Sequence, residues 1–453
     1  TNGAWDMLSA GFRMDWEATN NALITFQGDI YHENLGQMSR IIQSAGDIEY
    51  TNIDTTAEVN GANLLLRWEQ ILSHTSDLAV QLYYDYYERL EAILHGKIQT
   101  ADLDFQHRFG IGSRNEFMWG LGYRFMQDNS IGSFHYYLDP ASRKTSIASA
   151  FIQDELTVIK EKMRLTMGTK FEENDYTGME IQPNIRLLLK PSYNSTIWFA
   201  ISKAIRIPSR TENDSRAIRD VWNLVGLPLY GQFAGTKSFD SEKLIAYELG
   251  YRSIFKNLSS DIAFFYNHYS DLRSYKMGES QSSTDPEKYY VIVPFYLQNK
   301  MDGESFGGEI SLKFNPLEWW QIQTDYSYLK MNMFLPLDSD LHEIDRELNA
   351  FAKGTEKESP ENQFGLRTTF QIFDNLSFTL NYRWIDEIPQ LNVNSYSNLD
   401  ANFCLIINKQ LKLNLIGHNL LREHHLEYIP AFRDIRNAEV ERGFYSSLEY
   451  EFN

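Results

Sequence analysis

The stretch Asn375-Leu-Ser-Phe-Thr-Leu-Asn-Tyr-Arg-Trp-Ile-Asp386 alternates strictly. Leu376, Phe378, Leu380, Tyr382 and Trp384 fall on one face; Ser377, Thr379, Asn381 and Arg383 fall on the other. Successive side chains of an extended chain point to opposite faces, so this period of two reads as a β-strand with one apolar and one polar side. The pattern recurs. Trp320, Ile322, Tyr326 and Tyr328 oppose Gln321, Gln323, Asp325 and Ser327. Leu78, Val80, Leu82, Tyr84 and Tyr86 share a face, as do Phe117, Trp119, Leu121, Tyr123 and Phe125. The final segment sets Phe444, Leu448, Tyr450 and Phe452 against Ser447, Glu449 and Glu451.

A soluble sandwich also alternates, but three features select a membrane barrel. Apolar faces end in Tyr or Trp, as an interfacial girdle requires. The opposite face is polar in strand after strand, as a lumen allows. Connections alternate between short and long. Short turns fall near Glu17–Asn21, Ser73–His74, Gly110–Ser113, Lys160–Glu161, Pro191–Asn194, Phe255–Asn257, Asn315–Pro316, Asp374–Asn375 and Asn408–Lys409. Between them lie Tyr31–Ala57, Tyr87–Gly96, Gln127–Ala141, Ile205–Asp240, Asp271–Pro294, Lys330–Pro360, Glu387–Leu391 and Leu421–Ala438, with one short connection at Glu172–Tyr176.

Short periplasmic turns and long outer loops are the pattern of outer-membrane barrels. The expected fold is all-β: an antiparallel transmembrane β-barrel with about 19 strands present. The first, near Leu8–Trp16, would run downward. An odd count does not close, because single-chain bacterial barrels have even strand numbers. The expectation is one barrel domain over residues 1–453, lacking about three leading strands of a 22-stranded barrel and whatever precedes them.

Composition agrees. The 453 residues hold 27 Tyr, 28 Phe and 9 Trp but only 12 Pro. No run approaches the ~18 apolar residues of a membrane helix. The chain starts at Thr1 without a basic-then-apolar leader, so a signal segment is expected to have been removed or to lie upstream. A formal net charge of −19 argues against nucleic-acid binding, which needs basic patches. The single cysteine, Cys404, rules out an internal disulfide and a Cys-based metal cluster; it reads as packing within an apolar strand. No Walker-type loop, His-Glu-x-x-His or Gly-x-Ser-x-Gly is present, and neither enzymatic activity nor a cofactor is expected.

Several stretches, in order along nearly the whole chain, resemble TonB-dependent receptors. They are Lys170-Phe-Glu172 with Gln182-Pro-Asn-Ile-Arg-Leu187, Ile201-Ser-Lys-Ala-Ile-Arg-Ile-Pro-Ser-Arg210, Ala246-Tyr-Glu-Leu-Gly-Tyr-Arg252, Phe265-Tyr-Asn-His-Tyr-Ser-Asp-Leu272, Phe306-Gly-Gly-Glu-Ile310 and Gly417-His-Asn-Leu-Leu421. Each also has a structural reading: Glu248 and Glu309 as polar lumen residues, Gly250, Gly307 and Gly417 as sites of bulges or close packing, and Pro208 as a strand end. The family's N-terminal plug and TonB box have no counterpart here. Asn453 follows the aromatic Phe452, and Ile205-Arg-Ile-Pro208 departs from the haem-receptor pattern.

The resemblance implies a receptor in the outer membrane of a Gram-negative bacterium. It would take up a bulky, scarce ligand, a ferric siderophore first, by transport energised through a TonB–ExbB–ExbD complex acting on the missing plug. Outer-membrane lipid is the other expected partner, and a monomer is expected. Cobalamin or an oligosaccharide is the alternative cargo; a passive porin-like channel and a β-rich lectin are the alternative classes. Anionic ligands suit arginine donors. The longest loop holds Arg206, Arg210, Arg216, Arg219, Trp222 and Tyr230. Arg206 shares a lumen face with Trp198, Ala200 and Ser202, and Arg383 lies on the polar face of its strand. For the arginine cluster, ligand contact competes with loop-to-loop pairing against nearby acids. His424-His425, with Glu427 and Tyr428, competes between metal binding and surface solvation; adjacent residues on a strand point apart, so no metal site is assigned. Leu341–Phe351 reads as a short surface helix.

Overall fold

The computed structural model describes residues 4–284, 288–335, 349–350, 353–429 and 439–452. The alternating segments are strands, in chain order β1 (Trp5–Thr19), β2 (Ala22–Ile41), β3 (Thr51–Ser73), β4 (Ser76–Leu90), β5 (Leu94–Ile111), β6 (Asn115–Gly132), β7 (Tyr136–Leu138), β8 (Ser142–Ile159) and β9 (Met163–Asn174). Next come β10 (Gly178–Ser192), β11 (Ser195–Arg206), a one-turn helix α1 (Arg210–Asp214), β12 (Ser215–Leu224), β13 (Leu227–Ala234), β14 (Glu242–Phe255), β15 (Leu258–Met277), β16 (Gln281–Ser282) and β17 (Val291–Leu317). The chain ends with β18 (Trp320–Phe334), β19 (Asn362–Phe373), β20 (Leu376–Ile385), β21 (Tyr396–Asn408), β22 (Leu411–His418), β23 (His424–His425), β24 (Val440–Glu441) and β25 (Gly443–Tyr450).

One 23-stranded sheet contains all of these but the β23–β24 pair, and β7, β12, β13 and β16 join it from the connections. The remaining nineteen strands form the wall, each antiparallel to the next. Among the described residues β1 pairs only with β2 and β25 only with β22, so the wall has two edges.

Register confirms the two faces. Trp384 lies opposite Phe364 and Ser397, whereas Arg383 lies opposite Gly365 and Asn398. The apolar face is the outward one: Leu82, Leu121 and Phe264 are all exposed, at 48%, 52% and 54%. Exposure there is physically sound because lipid, not protein, covers that band. The wall itself therefore holds little core. Among the described residues, buried apolar clusters sit in the connections instead: Ile42, Ile218 and Tyr230, and Ile388, Leu391 and Val393.

The long connections are shorter than expected. Tyr31–Ala57 narrows to residues 42–50, because β2 and β3 stay paired from Leu35↔Ala57 to Ile41↔Thr51. In the same way β15 and β17 stay paired out to Met277↔Phe295. Crossing the bilayer takes only ~9–11 residues per tilted strand, whereas β3 has 23 and β17 has 27. Beyond the membrane the outward face turns polar, as at His32, Asn34 and Asn60, so the alternation fades while the backbone ladder continues. Cys404 also differs from expectation. Its neighbours Ser377 and Asn414 place it on the polar lumen face, because its position in the alternation outranks its apolar flanks. Of Leu341–Phe351, only Asn349 and Ala350 fall within the described residues, so the helix expected there lies outside them.

Candidate functional site

Four outer connections meet above the lumen. The Tyr230 hydroxyl, on β13, donates to the Asp47 carbonyl at 2.7 Å and accepts from the Gly46 N–H at 2.9 Å. The Tyr50 hydroxyl donates to the Arg219 carbonyl at 2.7 Å. Phe134 and Tyr290 pack edge-on against the Tyr230 ring at 5.2 and 5.6 Å. β12 pairs with β7, and β13 runs parallel to the start of β17. Around the wall, β3 and β11 are separated by β4, β5, β6, β8, β9 and β10. At roughly 4.8 Å per strand that arc is about 30 Å. Loops this far apart touch only by leaning inward, so the cluster caps the mouth.

An ionic knot anchors the cap to the wall. Ser209 and Glu212 form a capping box at the start of α1, in which Ser209 Oγ accepts from the Glu212 N–H and Glu212 accepts from the Ser209 N–H. Glu212 also receives Arg206 in a two-point contact at 2.6 and 2.8 Å, and Arg206 Nε donates to Glu242 at 2.7 Å. Asp214, completely enclosed, takes Arg143 at 2.7 Å, Lys237 at 2.5 Å, and Arg210. Arg210 in turn bridges to Asp128 at 2.8 Å. Burial pushes both carboxyl groups up, but their donors pull harder. Glu212 and Asp214 therefore sit below the usual carboxylate range, Glu212 through Arg206 and Ser209, and Asp214 through Lys237, Arg143 and Arg210.

The seven residues nominated from sequence thus occupy different settings. Arg206 and Arg210 belong to the knot. Arg216 donates to the carbonyls of Ser215 and Gly235 at 2.7 and 3.0 Å. Arg219 lies 5.9 Å from the Phe233 ring centroid. Tyr230 is the fully buried hub. Trp222, 46% exposed, lies across Gly231, where a β-carbon would meet its ring at 2.8 Å. Arg383 stands apart, on the lumen wall of β20. It borders a concavity of about 630 Å³ with Glu309, Asp325, Ser327, Gln363 and Asn381. A second hollow, between Leu64, Leu82, Leu103 and Tyr123, is on the lipid side.

The sequence reading missed the capping box, although Ser209-Arg-Thr-Glu212 has the Ser-x-x-Glu spacing that signals one. It also missed Asp214, Asp128 and Arg143, whose meeting depends on loop packing. His424 and His425 do point apart. His424 is exposed beside Glu439 at 2.9 Å. His425 corrects the expectation of surface solvation: it is buried against Tyr396, with ring centroids 4.5 Å apart. Among the described residues, no group of three or more His, Cys, Asp or Glu side chains converges to hold a metal.

A family model described as "TonB dependent receptor-like, beta-barrel" matches residues 2–420. No curated protein matches the chain. Several solved structures share the fold. The siderophore receptor PirA from Acinetobacter baumannii is 15% identical with a TM-score of 0.71, covering 100% of this chain and 72% of that one. A mutant of the ferric enterobactin receptor PfeA from Pseudomonas aeruginosa is 13% identical with a TM-score of 0.74, covering 99% and 70%. The FrpB iron transporter from Neisseria meningitidis is 11% identical with a TM-score of 0.72, covering 99% and 72%.

Proposed function

The chain belongs to the TonB-dependent receptor β-barrel family of Gram-negative outer-membrane transporters, and from that premise we propose that it is the wall and outer mouth of a receptor that takes up ferric siderophores. It is not an enzyme. The observation that carries the reading is the pairing of a polar-walled lumen with a mouth bridged by loops. Trp222 and Arg219 stand at the cap, and Arg383 stands below it. Aromatic faces and arginine donors suit a bulky anionic chelate. Three fold relatives named for siderophores, enterobactin or iron favour ferric cargo over cobalamin or an oligosaccharide.

The unpaired edges of β1 and β25 support a wall completed by further strands. An open sheet edge in hydrocarbon leaves backbone donors and acceptors unsatisfied, each at a cost of several kcal/mol. With a plug in the lumen, a TonB–ExbB–ExbD complex would drive transport, and this chain would supply surface and passage without making or breaking a bond. The direct test is growth of a deletion strain on defined iron sources under iron limitation. Loss of growth on one ferric siderophore is expected. Undiminished growth on every source would sink the siderophore reading.

A further inference from the structure

The last outer connection reaches back to the lumen wall through His425 and Glu427. His425 Nε2 donates to Glu427 Oε1 at 3.0 Å, and the same oxygen faces Arg383 Nη2 at 3.6 Å. The His425 side chain is only 3% exposed, with its ring against Tyr396 and its Nδ1 buried without a hydrogen-bond partner among the described residues. Leu426 and Ile429, on either side of Glu427, pack into the cluster of Ile388, Leu391 and Val393. The segment 424–429 is therefore seated by apolar contacts and by one carboxylate held among an imidazole, a guanidinium and the Tyr396 hydroxyl.

The Arg383 contact differs in kind from those of the knot. Arg206 and Arg210 meet their carboxylates within 2.8 Å. Arg383 is 44% exposed, and its ion pair is longer than a hydrogen bond. A guanidinium carries five N–H donors in a planar fork, and this one lines the concavity beside Asn381 and Gln363 with more donors than one carboxylate contact uses. Of the nominated arginines paired to carboxylates, it is the one most easily taken over by a competing oxyanion.

We propose that Glu427 is a positioning residue for Arg383, and that this contact links the lumen wall to the outer segment 424–429. An oxyanion of the cargo that engages Arg383 draws it from Glu427. Glu427 is then left with His425 and the neighbouring Tyr396 hydroxyl, without its cation, and the segment loosens. The ligand end of this linkage rests on the siderophore reading above; the linkage itself does not.

The test uses the intact protein as extracted from the outer membrane into detergent micelles, with folding judged by heat-modifiable gel migration. Phenylglyoxal modification of Arg383, followed by peptide mass spectrometry, reads the positioning. Glu427→Gln is expected to raise its rate several-fold while leaving Arg367, lower on the same wall, unchanged. Glu427→Asp is expected to restore part of the protection. Arg383→Gln imitates removal of the arginine and is expected to speed amide hydrogen exchange in 424–429 several-fold; Arg367→Gln is the control that leaves it unaltered. Unchanged Arg383 reactivity in Glu427→Gln, or unchanged exchange in Arg383→Gln, overturns the linkage. Citrate serves as the oxyanion probe. Protection of Arg383 by citrate together with faster exchange in 424–429 supports both parts. A linkage that holds without citrate protection counts against the ligand role of Arg383 and leaves the positioning role standing.

Discussion

Tyr230 and Asp47 lie 183 positions apart in the chain, yet the phenolic hydroxyl of one donates to the carbonyl of the other at 2.7 Å. The bond ties the β12–β13 hairpin to the β2–β3 connection across the mouth. Tyr230→Phe keeps the ring and its packing but leaves the Asp47 carbonyl and the Gly46 N–H unpaired. The expected local cost is about 1–3 kcal/mol. Hydrogen exchange should rise in residues 42–50 without a change in barrel melting. Unaltered exchange there would show that the hydroxyl does not hold the cap.

Asp214 gathers three cations while fully buried. Asp214→Asn removes the charge and leaves Arg143, Arg210 and Lys237 to repel one another. Breaking a buried pair in this way costs about 3–5 kcal/mol, less here because Lys237 remains largely in water. Limited proteolysis within residues 207–241 should become markedly faster, with the transmembrane strands still protected.

Acid should open the same knot. The folded Glu212 and Asp214 groups lie below their ordinary values. A depressed carboxylate contributes stability that is present above its unfolded pKa, about 4.3 for Glu and 3.9 for Asp, and is lost as pH falls through the folded value. Cap proteolysis is therefore expected to be flat from about pH 7 to 5 and to rise below about pH 4. Glu212→Gln should weaken the cap at neutral pH and shrink the acid effect.

Gly250 has its role in the indole of Trp198, which would lie 2.1 Å from any β-carbon placed there. Gly250→Val should therefore lower the heat-modifiable folded fraction. Adding Trp198→Ala should recover much of it. A clash elsewhere would leave the double variant no better than the single one.

The two faces of the wall predict opposite tolerance. Leu121→Arg places a charge in the lipid band and should cost about 2–4 kcal/mol if near the midplane. Gln323→Arg, on the lumen face, should cost far less. Denaturant unfolding of the two variants in vesicles makes the comparison, and equal losses would contradict the face assignment.

Much of this architecture was legible as alternation. Trp384 and Arg383 announced their faces because a strand of period two cannot place neighbours on the same side. The outer ends of β2, β3, β15 and β17 were not legible, because outside the bilayer the apolar–polar alternation lapses, into polar residues such as His32 and Asn60 or into an unbroken apolar run at residues 291–293, while the backbone ladder continues. The site divided in the same way. Arg206 was found through its composition-rich loop, but its partner Glu212 needed the capping box, and Asp214 needed four segments to come together in space. Tyr230 looked like a recognition aromatic by composition, whereas burial makes it a strut. Contacts between loops far apart in sequence leave no periodic trace.

The paired extensions of β2, β3, β15 and β17 separate where the cap stands from what it presents. Its elevation is fixed by main-chain pairing that any non-proline residue can sustain. The connecting segments at the top are thereby relieved of holding themselves up. If the mouth recognises cargo as proposed, substitutions among them that spare the struts at Tyr50, Tyr230 and Asp214 would exchange one surface for another while the scaffolding keeps its height.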